Sequence, residues 1–265
     1  MKKHLSVILF ICTALLAVGF TLLRCVLMRG YDFANGFYTD DSLRAVLRYS
    51  LIALAAIFFA CGYIYNNKEE SRAPRLPQNI ATTVTAYLAG AALCGFALYM
   101  LAKLAVFRRL LLADGLICIF ALIGAFYYFT ERQYAVKRAD FRALLCSANA
   151  LALLVMIFGL YFNSSVSYVN HSVMLAFATA IFLMLALVAE ANFALSRPVY
   201  RRYCSYAPTA VVLSFTLAVP DLIAAMTSGE AVITDIYYDV LILALGLHQL
   251  ARLSALAFSA EKTED

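Results

Sequence analysis

The chain has 265 residues, of which 64% are hydrophobic and 14% charged, and a net charge of +5. Soluble domains are about half apolar and about a quarter charged, so this composition excludes an ordinary soluble fold. The basic residues lie between apolar runs and form no patch interleaved with exposed aromatics, which argues against a nucleic-acid-binding protein. The chain is therefore predicted to be a membrane protein with the lipid bilayer as its principal partner.

Eight apolar runs of about twenty residues follow one another, and each is long enough to cross a hydrocarbon core of about 30 Å as a helix. The first run is longer than the apolar region of a cleaved signal peptide, so it is counted as a retained span. The predicted spans are 5–27, 45–65, 80–103, 110–130, 143–162, 173–195, 209–228 and 236–258. The predicted fold is an all-α polytopic transmembrane bundle that forms a single domain over residues 1–265, with polar connectors such as 196–208 between the spans.

The distribution of basic residues predicts the orientation. Thirteen of the 21 Lys and Arg residues lie in segments on the side of the N-terminus, and four lie in the opposite loops. The positive-inside rule then places both termini in the cytoplasm, in a plasma membrane or a bacterial inner membrane. One turn runs against the pattern, because Lys103, Arg108 and Arg109 crowd the predicted outer turn between spans three and four.

Tyrosine is common in the chain, and most of its 17 copies stand at the ends of the runs. Amphipathic aromatic rings are favoured at the level of the lipid headgroups. Tyr127, Tyr128 and Tyr203 are among those expected to lie there.

The seventh predicted span contains a proline followed directly by an acidic residue, Pro220 and Asp221. Proline has no N–H, so the carbonyl of Thr216 loses its helical partner and the helix is predicted to bend at Pro220 as at a hinge. A carboxylate is unfavourable in hydrocarbon unless it faces other helices, a cavity or a partner. We therefore expect Asp221 to face the interior of the bundle.

The eighth span returns antiparallel to the seventh, with His248 and Arg252 on one helical face. Counted from the inner end at about 1.5 Å per residue, Asp221 lies roughly 18 Å deep and His248 roughly 15 Å deep. The matching depths predict a contact between Asp221 and His248, with Arg252 about one turn nearer the inner side. Buried Asp and His residues form relays in transporters, so the pair is interpreted as a proton- or ion-responsive site; the alternative is an internal pair that fixes helix register.

Three further polar side chains are predicted within spans. Glu190 near the inner end of span six is expected to reach the interface or to pair with Arg197, with binding of a small solute or ion as the alternative. Asn149 in span five is expected to form an interhelical hydrogen bond, again with solute binding as the alternative. Arg24 near the outer end of span one is expected to extend to the interface.

Motifs that identify common enzyme classes do not occur in the sequence, among them the zinc-protease HExxH, the Gly-x-Ser-x-Gly nucleophile, the Walker loop and the Gly-rich dinucleotide loop. The seven cysteines are scattered, without a CxxC pair or a nearby cluster of histidines. No metal site, cofactor or catalytic residue is therefore predicted. No block of residues matches the motif of a known family.

Three functions remain open. The leading hypothesis is a small permease-like carrier, or the membrane component of a transporter, that binds a small solute or ion at the ionisable residues beside Pro220. The second is a non-catalytic scaffold or regulatory subunit whose cytoplasmic Arg197, Arg201 and Arg202 dock a protein partner or anionic lipid. The third is an integral enzyme that acts on lipid, with the buried carboxylates and histidine as acid–base groups.

Overall fold

A computed structural model describes residues 2–32, 37–64, 78–107, 112–130, 139–162, 171–195, 199–228 and 235–259. Within these ranges the chain forms eight long helices, each apolar and long enough to cross a membrane. They are α1 (Lys2–Met28), α2 (Asp41–Ile64), α3 (Ile80–Phe107), α4 (Leu112–Thr130), α5 (Ala139–Phe162), α6 (His171–Ala194), α7 (Tyr200–Ser228) and α8 (Ile236–Ser259). The prediction of an all-α bundle with eight spans is confirmed.

Most helix ends lie within four residues of the predicted ones, but α7 begins nine residues early, at Tyr200. The prediction that 196–208 is a connector is therefore wrong for 200–208, and Pro208 as well as Pro220 lies inside the helix. The cause is that a hydropathy count excludes the polar turn containing Arg201 and Arg202. A helix continues wherever its backbone bonds are made, as in the 3.0 Å bond from the Tyr203 N–H to the Val199 carbonyl.

Six of the helices form a closed ring in which each packs against the next. The order is α3, α4, α5, α6, α7 and α8, and α8 returns to α3. Outside the ring, α1 packs against α7 and α8, and α2 packs against α7. Helix α8 is consequently the most enclosed, with 72% of its apolar window buried against 28% for α1 and for α2. Polar side chains on α7 and α8 must therefore find their partners within the protein, since lipid offers none.

The short connection between α1 and α2 contains two strands of two residues each, β1 (Tyr31–Asp32) and β2 (Phe37–Tyr38). They pair antiparallel with Tyr31 opposite Tyr38, and this register places the Tyr38 ring in a buried position at the end of α1. Asp40 then caps α2, because its Oδ1 accepts hydrogen bonds from the backbone N–H groups of Leu43 and Ser42, both at 3.0 Å. The Leu43 N–H, followed by the Ser42 hydroxyl, holds the pKa of Asp40 below its ordinary value because both favour the ionised carboxylate.

Helix α2 approaches α7 most closely at Gly62. A Cβ atom at this position would lie 2.8 Å from the carbonyl oxygen of Arg201 and 2.9 Å from the backbone nitrogen of Ser205, and it would overlap Ser205 Oγ. Two of these neighbours are backbone atoms of α7, which cannot move aside without separating the two helices.

We expect Gly62→Ala to lower the free energy of unfolding by about 1–3 kcal/mol, the usual effect of overpacking a tight contact. The thermal unfolding midpoint in detergent measures this change. Gly95→Ala is the matched control, because no atom lies within 4 Å of a Cβ at Gly95. Equal midpoints for the two variants would contradict the prediction.

Candidate functional site

Buried polar side chains gather at two levels of the bundle. The outer cluster, at the end predicted to face outward, consists of Arg24, Tyr38, Ser172 and Asp221. The inner cluster, in the half predicted to face the cytoplasm, consists of Thr85, Tyr127, Tyr128, Cys146, Glu190, Tyr203, His248, Gln249 and Arg252.

The outer cluster is built around Arg24, whose side chain is 0% exposed. Its Nη2 donates a hydrogen bond to Asp221 Oδ1 at 2.7 Å, and its Nε donates to the Tyr38 hydroxyl at 3.1 Å. That hydroxyl lies 3.2 Å from Ser172 Oγ. One guanidinium thus connects α1, the β1–β2 connection, α6 and α7. The expectation that Arg24 extends to the interface is wrong, because a guanidinium with five donors is satisfied inside the protein when acceptors surround it.

Arg24 also bonds the backbone of α7 beside Pro220. Its Nη1 donates to the carbonyl oxygen of Thr216 at 2.8 Å and to that of Leu217. The Thr216 carbonyl is the one that Pro220 deprives of its helical partner, so the outer cluster supplies the missing donor. Helix α7 continues through Pro220 without interruption. A hinge motion at this residue stays a prediction.

The inner cluster is built around the carboxylate of Glu190, which is 2% exposed. The Tyr127 hydroxyl donates to Oε1 at 2.9 Å, Arg252 Nη2 donates to Oε1 at 3.1 Å, and Gln249 Nε2 donates to Oε2 at 3.1 Å. The expectation that Glu190 reaches the interface is wrong, because α4 and α8 provide these donors at its own depth. The predicted pairing with Arg197 lies outside the described residues.

Every helix of the ring contributes a side chain to the inner cluster. The Tyr203 hydroxyl of α7 donates to Gln249 Oε1 at 2.9 Å, and Thr85 Oγ1 of α3 lies 3.3 Å from His248 Nδ1. On α5, the Cys146 thiol donates to the Leu187 carbonyl of α6 at 3.4 Å, and the Arg142 guanidinium lies 5.8 Å from the centre of the Tyr127 ring. The polar network is therefore central to the ring.

His248 is 0% exposed and is bonded on one side only, as far as the described residues show. Its Nδ1 faces Thr85 Oγ1, and the Thr85 hydroxyl already donates to the Ala81 carbonyl at 2.8 Å. The Thr85 oxygen then accepts a hydrogen bond from the Nδ1–H group of His248. In this tautomer Nε2, on the opposite side of the imidazole, carries a lone pair and no proton. Nε2 is 3.8 Å from Glu190 Oε1 and has no hydrogen-bond partner among the described residues. A proton bound at Nε2 would form a buried ion pair with Glu190.

The predicted contact between Asp221 and His248 is wrong. The two helices are in register at Ser214 and Gly246, where an added Cβ on Gly246 would lie 2.6 Å from Ser214 Cβ. In an antiparallel pair this places His248 level with Val212, nine residues or roughly 13 Å along α7 from Asp221. The depth count began at residue 209 instead of at the true start of α7, so it placed Asp221 too near the inner end. The predicted neighbour of His248, Arg252, bonds Glu190 instead.

Asn149 makes the predicted interhelical bond, in which its Nδ2 donates to the Gly124 carbonyl of α4 at 3.5 Å. It is a member of neither cluster, and a role in solute binding stays a prediction. Lys103, which lies in the last part of α3, is paired with the start of α8, because its Nζ lies 3.6 Å from Asp235 Oδ2. Arg108 and Arg109 lie outside the described residues.

The arginines predicted to dock a partner lie in the first turn of α7 and before it. The Arg201 guanidinium lies 3.5 Å from the centre of the Tyr63 ring of α2, so it already has an intramolecular contact. Arg202 is exposed. Arg197 lies outside the described residues. Docking of a protein or of anionic lipid stays a prediction. Of Arg201 and Arg202, the exposed Arg202 is the one available for such a contact.

Six members of the inner cluster are absent from the predicted site, namely Thr85, Tyr127, Tyr128, Cys146, Tyr203 and Gln249. Tyr127, Tyr128 and Tyr203 were assigned to the headgroup level, yet all three are at most 2% exposed. Gln249 was overlooked because it is uncharged. The usable signal was its position, since a glutamine directly after His248 and one turn before Arg252 adds a third polar residue to one stretch of an apolar helix.

Comparison of the chain with protein-family models, with curated proteins and with solved structures finds no match in any of the three. In the ranges that the structure describes, no three His, Cys, Asp or Glu side chains are grouped so that they could hold a metal ion. The fold identifies an integral membrane protein with eight apolar helices. Its interior holds two buried polar clusters, and in the inner one the Glu190 carboxylate lies within 4 Å of both the His248 imidazole and the Arg252 guanidinium.

Proposed function

We propose that this protein is a small permease-like carrier that couples the binding of a proton to the movement of a small solute or ion. The observation that supports this function is the unbonded Nε2 of His248, which, among the described residues, faces the Glu190 carboxylate at the centre of a closed ring of helices. Intramembrane ionisable residues that face one another inside a bundle are typical of proton relays in transporters.

The charges of the inner cluster make it responsive to one proton. Glu190 and Arg252 balance each other while His248 is neutral, and both Arg252 Nη2 and His248 Nε2 face the same oxygen, Oε1 of Glu190. A proton on His248 adds a positive charge that competes with Arg252 for this oxygen. The nearby phenols of Tyr127 and Tyr128 carry no charge at neutral pH.

Competition for Glu190 links protonation to helix packing. Glu190 belongs to α6, whereas His248 and Arg252 lie one turn apart on α8. An exchange of partners at Oε1 would shift α8 along α6, because packed helices change by discrete steps and not by continuous deformation. A solute that binds one of the two arrangements better would then be coupled to the proton.

Transport measurements on the reconstituted protein test this function. Liposomes containing the protein are adsorbed on a solid-supported membrane, and currents are recorded for a panel of amino acids, organic acids and alkali cations at acidic and at alkaline pH. We expect at least one compound to give a pH-dependent current. Glu190→Gln and His248→Gln should abolish the pH dependence, because each removes one member of the responsive pair.

The matched control is Thr179→Val on α6, since Thr179 is buried and its hydroxyl donates to the Leu175 carbonyl of its own helix. A pH dependence that survives in Glu190→Gln would overturn the proposal. Absence of current for the whole panel would also count against it and would favour the scaffold alternative. That alternative predicts loss of co-purifying protein or lipid in Arg202→Glu.

A further inference from the structure

We propose that His248 exchanges its protons with the solution on the inner side of the membrane, by way of the Thr85 hydroxyl that it contacts and of a groove between α3 and α4 that Tyr128 lines. This inference rests on the proposed function and adds to it the side of access and two positioning residues.

The groove lies at the start of α3 and the end of α4. It is partly open, and the volume in it that water can occupy is about 10 Å³, roughly enough for one water molecule. Its lining is uncharged and consists of hydroxyl, amide and aromatic groups from Gln78, Thr82, Thr83, Tyr87, Tyr128 and Phe129, together with Ala86. The start of α3 and the end of α4 are both predicted to face the cytoplasm, so the groove belongs to the same half of the bundle as the inner cluster.

Tyr128 separates the groove from His248. Its side chain is 2% exposed, yet it lines the groove, and its ring meets the His248 ring edge-on with centroids 5.0 Å apart. Its hydroxyl has no hydrogen-bond partner among the described residues. A buried hydroxyl that borders a polar groove is suited to hold a water molecule, because such groups seldom remain unsatisfied in folded proteins.

Thr85 connects His248 to the groove side of α3. Its Oγ1 lies 3.3 Å from His248 Nδ1 and 3.2 Å from the carbonyl of Thr82, a groove residue one turn earlier. The Thr85 side chain is only partly buried. It is therefore a partly exposed hydroxyl in direct contact with an otherwise enclosed imidazole.

The outer cluster lies at the opposite end of the bundle, and its members are bonded to one another. Arg24 and Asp221 are at most 2% exposed and are bonded to each other across α1 and α7. Tyr38 and Ser172 continue these contacts to α6. The Tyr128 hydroxyl beside the groove has no such partner among the described residues, so we assign proton access to the groove side.

In the proposed transfer, one proton arrives at Nε2 of His248 and one proton leaves from Nδ1. A proton that reaches Nε2 of His248 from the centre of the ring forms one N–H bond and creates the imidazolium. The Nδ1–H bond then breaks and its proton passes to Thr85 Oγ1, while the Thr85 hydroxyl proton, which is bonded to the Ala81 carbonyl in this structure, turns away from that carbonyl and passes to a water molecule beside Thr85. His248 is left neutral with its proton on Nε2, and the reverse sequence takes a proton up from the groove.

A pH-jump experiment on the protein in lipid nanodiscs tests the route. An indicator dye follows proton release, and the amplitude assigned to His248 is the difference between the wild type and His248→Gln. We expect Thr85→Val to slow this phase about tenfold at unchanged amplitude, which is the factor that one hydrogen bond represents. Tyr128→Phe should also slow it, Thr85→Ser should restore the wild-type rate, and Thr179→Val should leave the rate unchanged.

An unchanged rate in Thr85→Val, or an equal slowing in Thr179→Val, would overturn the route while leaving the proposed function in place. If the total proton release is the same in the wild type, in Glu190→Gln and in His248→Gln, no amplitude belongs to His248, and the proposed function fails together with the route. In liposomes of fixed orientation the dye should respond first on the side of the α3 N-terminus. A first response on the other side would overturn the assignment of the access side.

Discussion

Asp221→Leu is expected to destabilise the protein by about 3–5 kcal/mol, the typical effect of leaving one member of a buried ion pair uncompensated. The reason is that Arg24 keeps its charge in a position with 0% exposure and loses the carboxylate that it bonds directly. Unfolding can be followed with a thiol-reactive dye, because Cys118, Cys146 and Cys204 are free and buried in the folded protein. We expect a large fall in the unfolding midpoint.

The double variant Arg24→Met with Asp221→Leu separates the charge effect from packing. Replacement of a whole buried pair by apolar residues is often nearly neutral, so the double variant should recover most of the stability. A residual loss of about 1–3 kcal/mol should remain, because the Thr216 carbonyl beside Pro220 has then lost its donor. If the double variant is no more stable than Asp221→Leu, the uncompensated charge of Arg24 is not the cause of the loss.

Glu190→Leu is expected to have an effect of the same size, about 3–5 kcal/mol. The substitution removes the acceptor of Arg252, Gln249 and Tyr127 together and leaves the Arg252 charge inside the ring. Glu190→Gln keeps the shape of the side chain and one acceptor oxygen, so it should lose less. Thermal unfolding with the same dye measures both variants.

Thr179→Val on the same helix is the control and should be close to neutral. Glu190→Leu combined with Arg252→Met should regain part of the lost stability, as in the outer cluster. The losses in Glu190→Leu and Asp221→Leu should add, because the two clusters share no residue and sites without common partners are usually independent. A strong departure from additivity would show that the clusters are coupled in the folded state.

The sequence was sufficient for the eight helices, because lipid requires long apolar segments whose backbone bonds are made internally. It was also sufficient for the carbonyl that Pro220 leaves without a partner. The partner of that carbonyl could not be predicted, since Arg24 lies 192 residues from Thr216 along the chain. Such contacts depend on which helices are neighbours in the ring, and hydropathy contains no information about this order.

The inner cluster was recognised only in part for a related reason. His248 and Arg252 are predicted from the sequence as ionisable residues inside the bundle, whereas Glu190 is expected at the interface because it stands near the end of its apolar run. Hydropathy places a residue along a helix and leaves open which way its side chain faces. The donors on α4 and α8 decide that Glu190 faces the centre.

The closure of the ring by α3 and α8 has a consequence for biogenesis. Ribosomes deliver a chain from its N-terminus, so α6 and its Glu190 enter the membrane before Arg252 and Gln249 have been synthesised. The described structure shows three hydrogen-bond donors to this carboxylate, from Tyr127, Gln249 and Arg252. Of these three, Tyr127 alone has been synthesised before α8. Helix α8 thus neutralises a charge that α6 brings into the bilayer before it, and a chain that stops before α8 would expose that charge to the quality-control machinery of the cell.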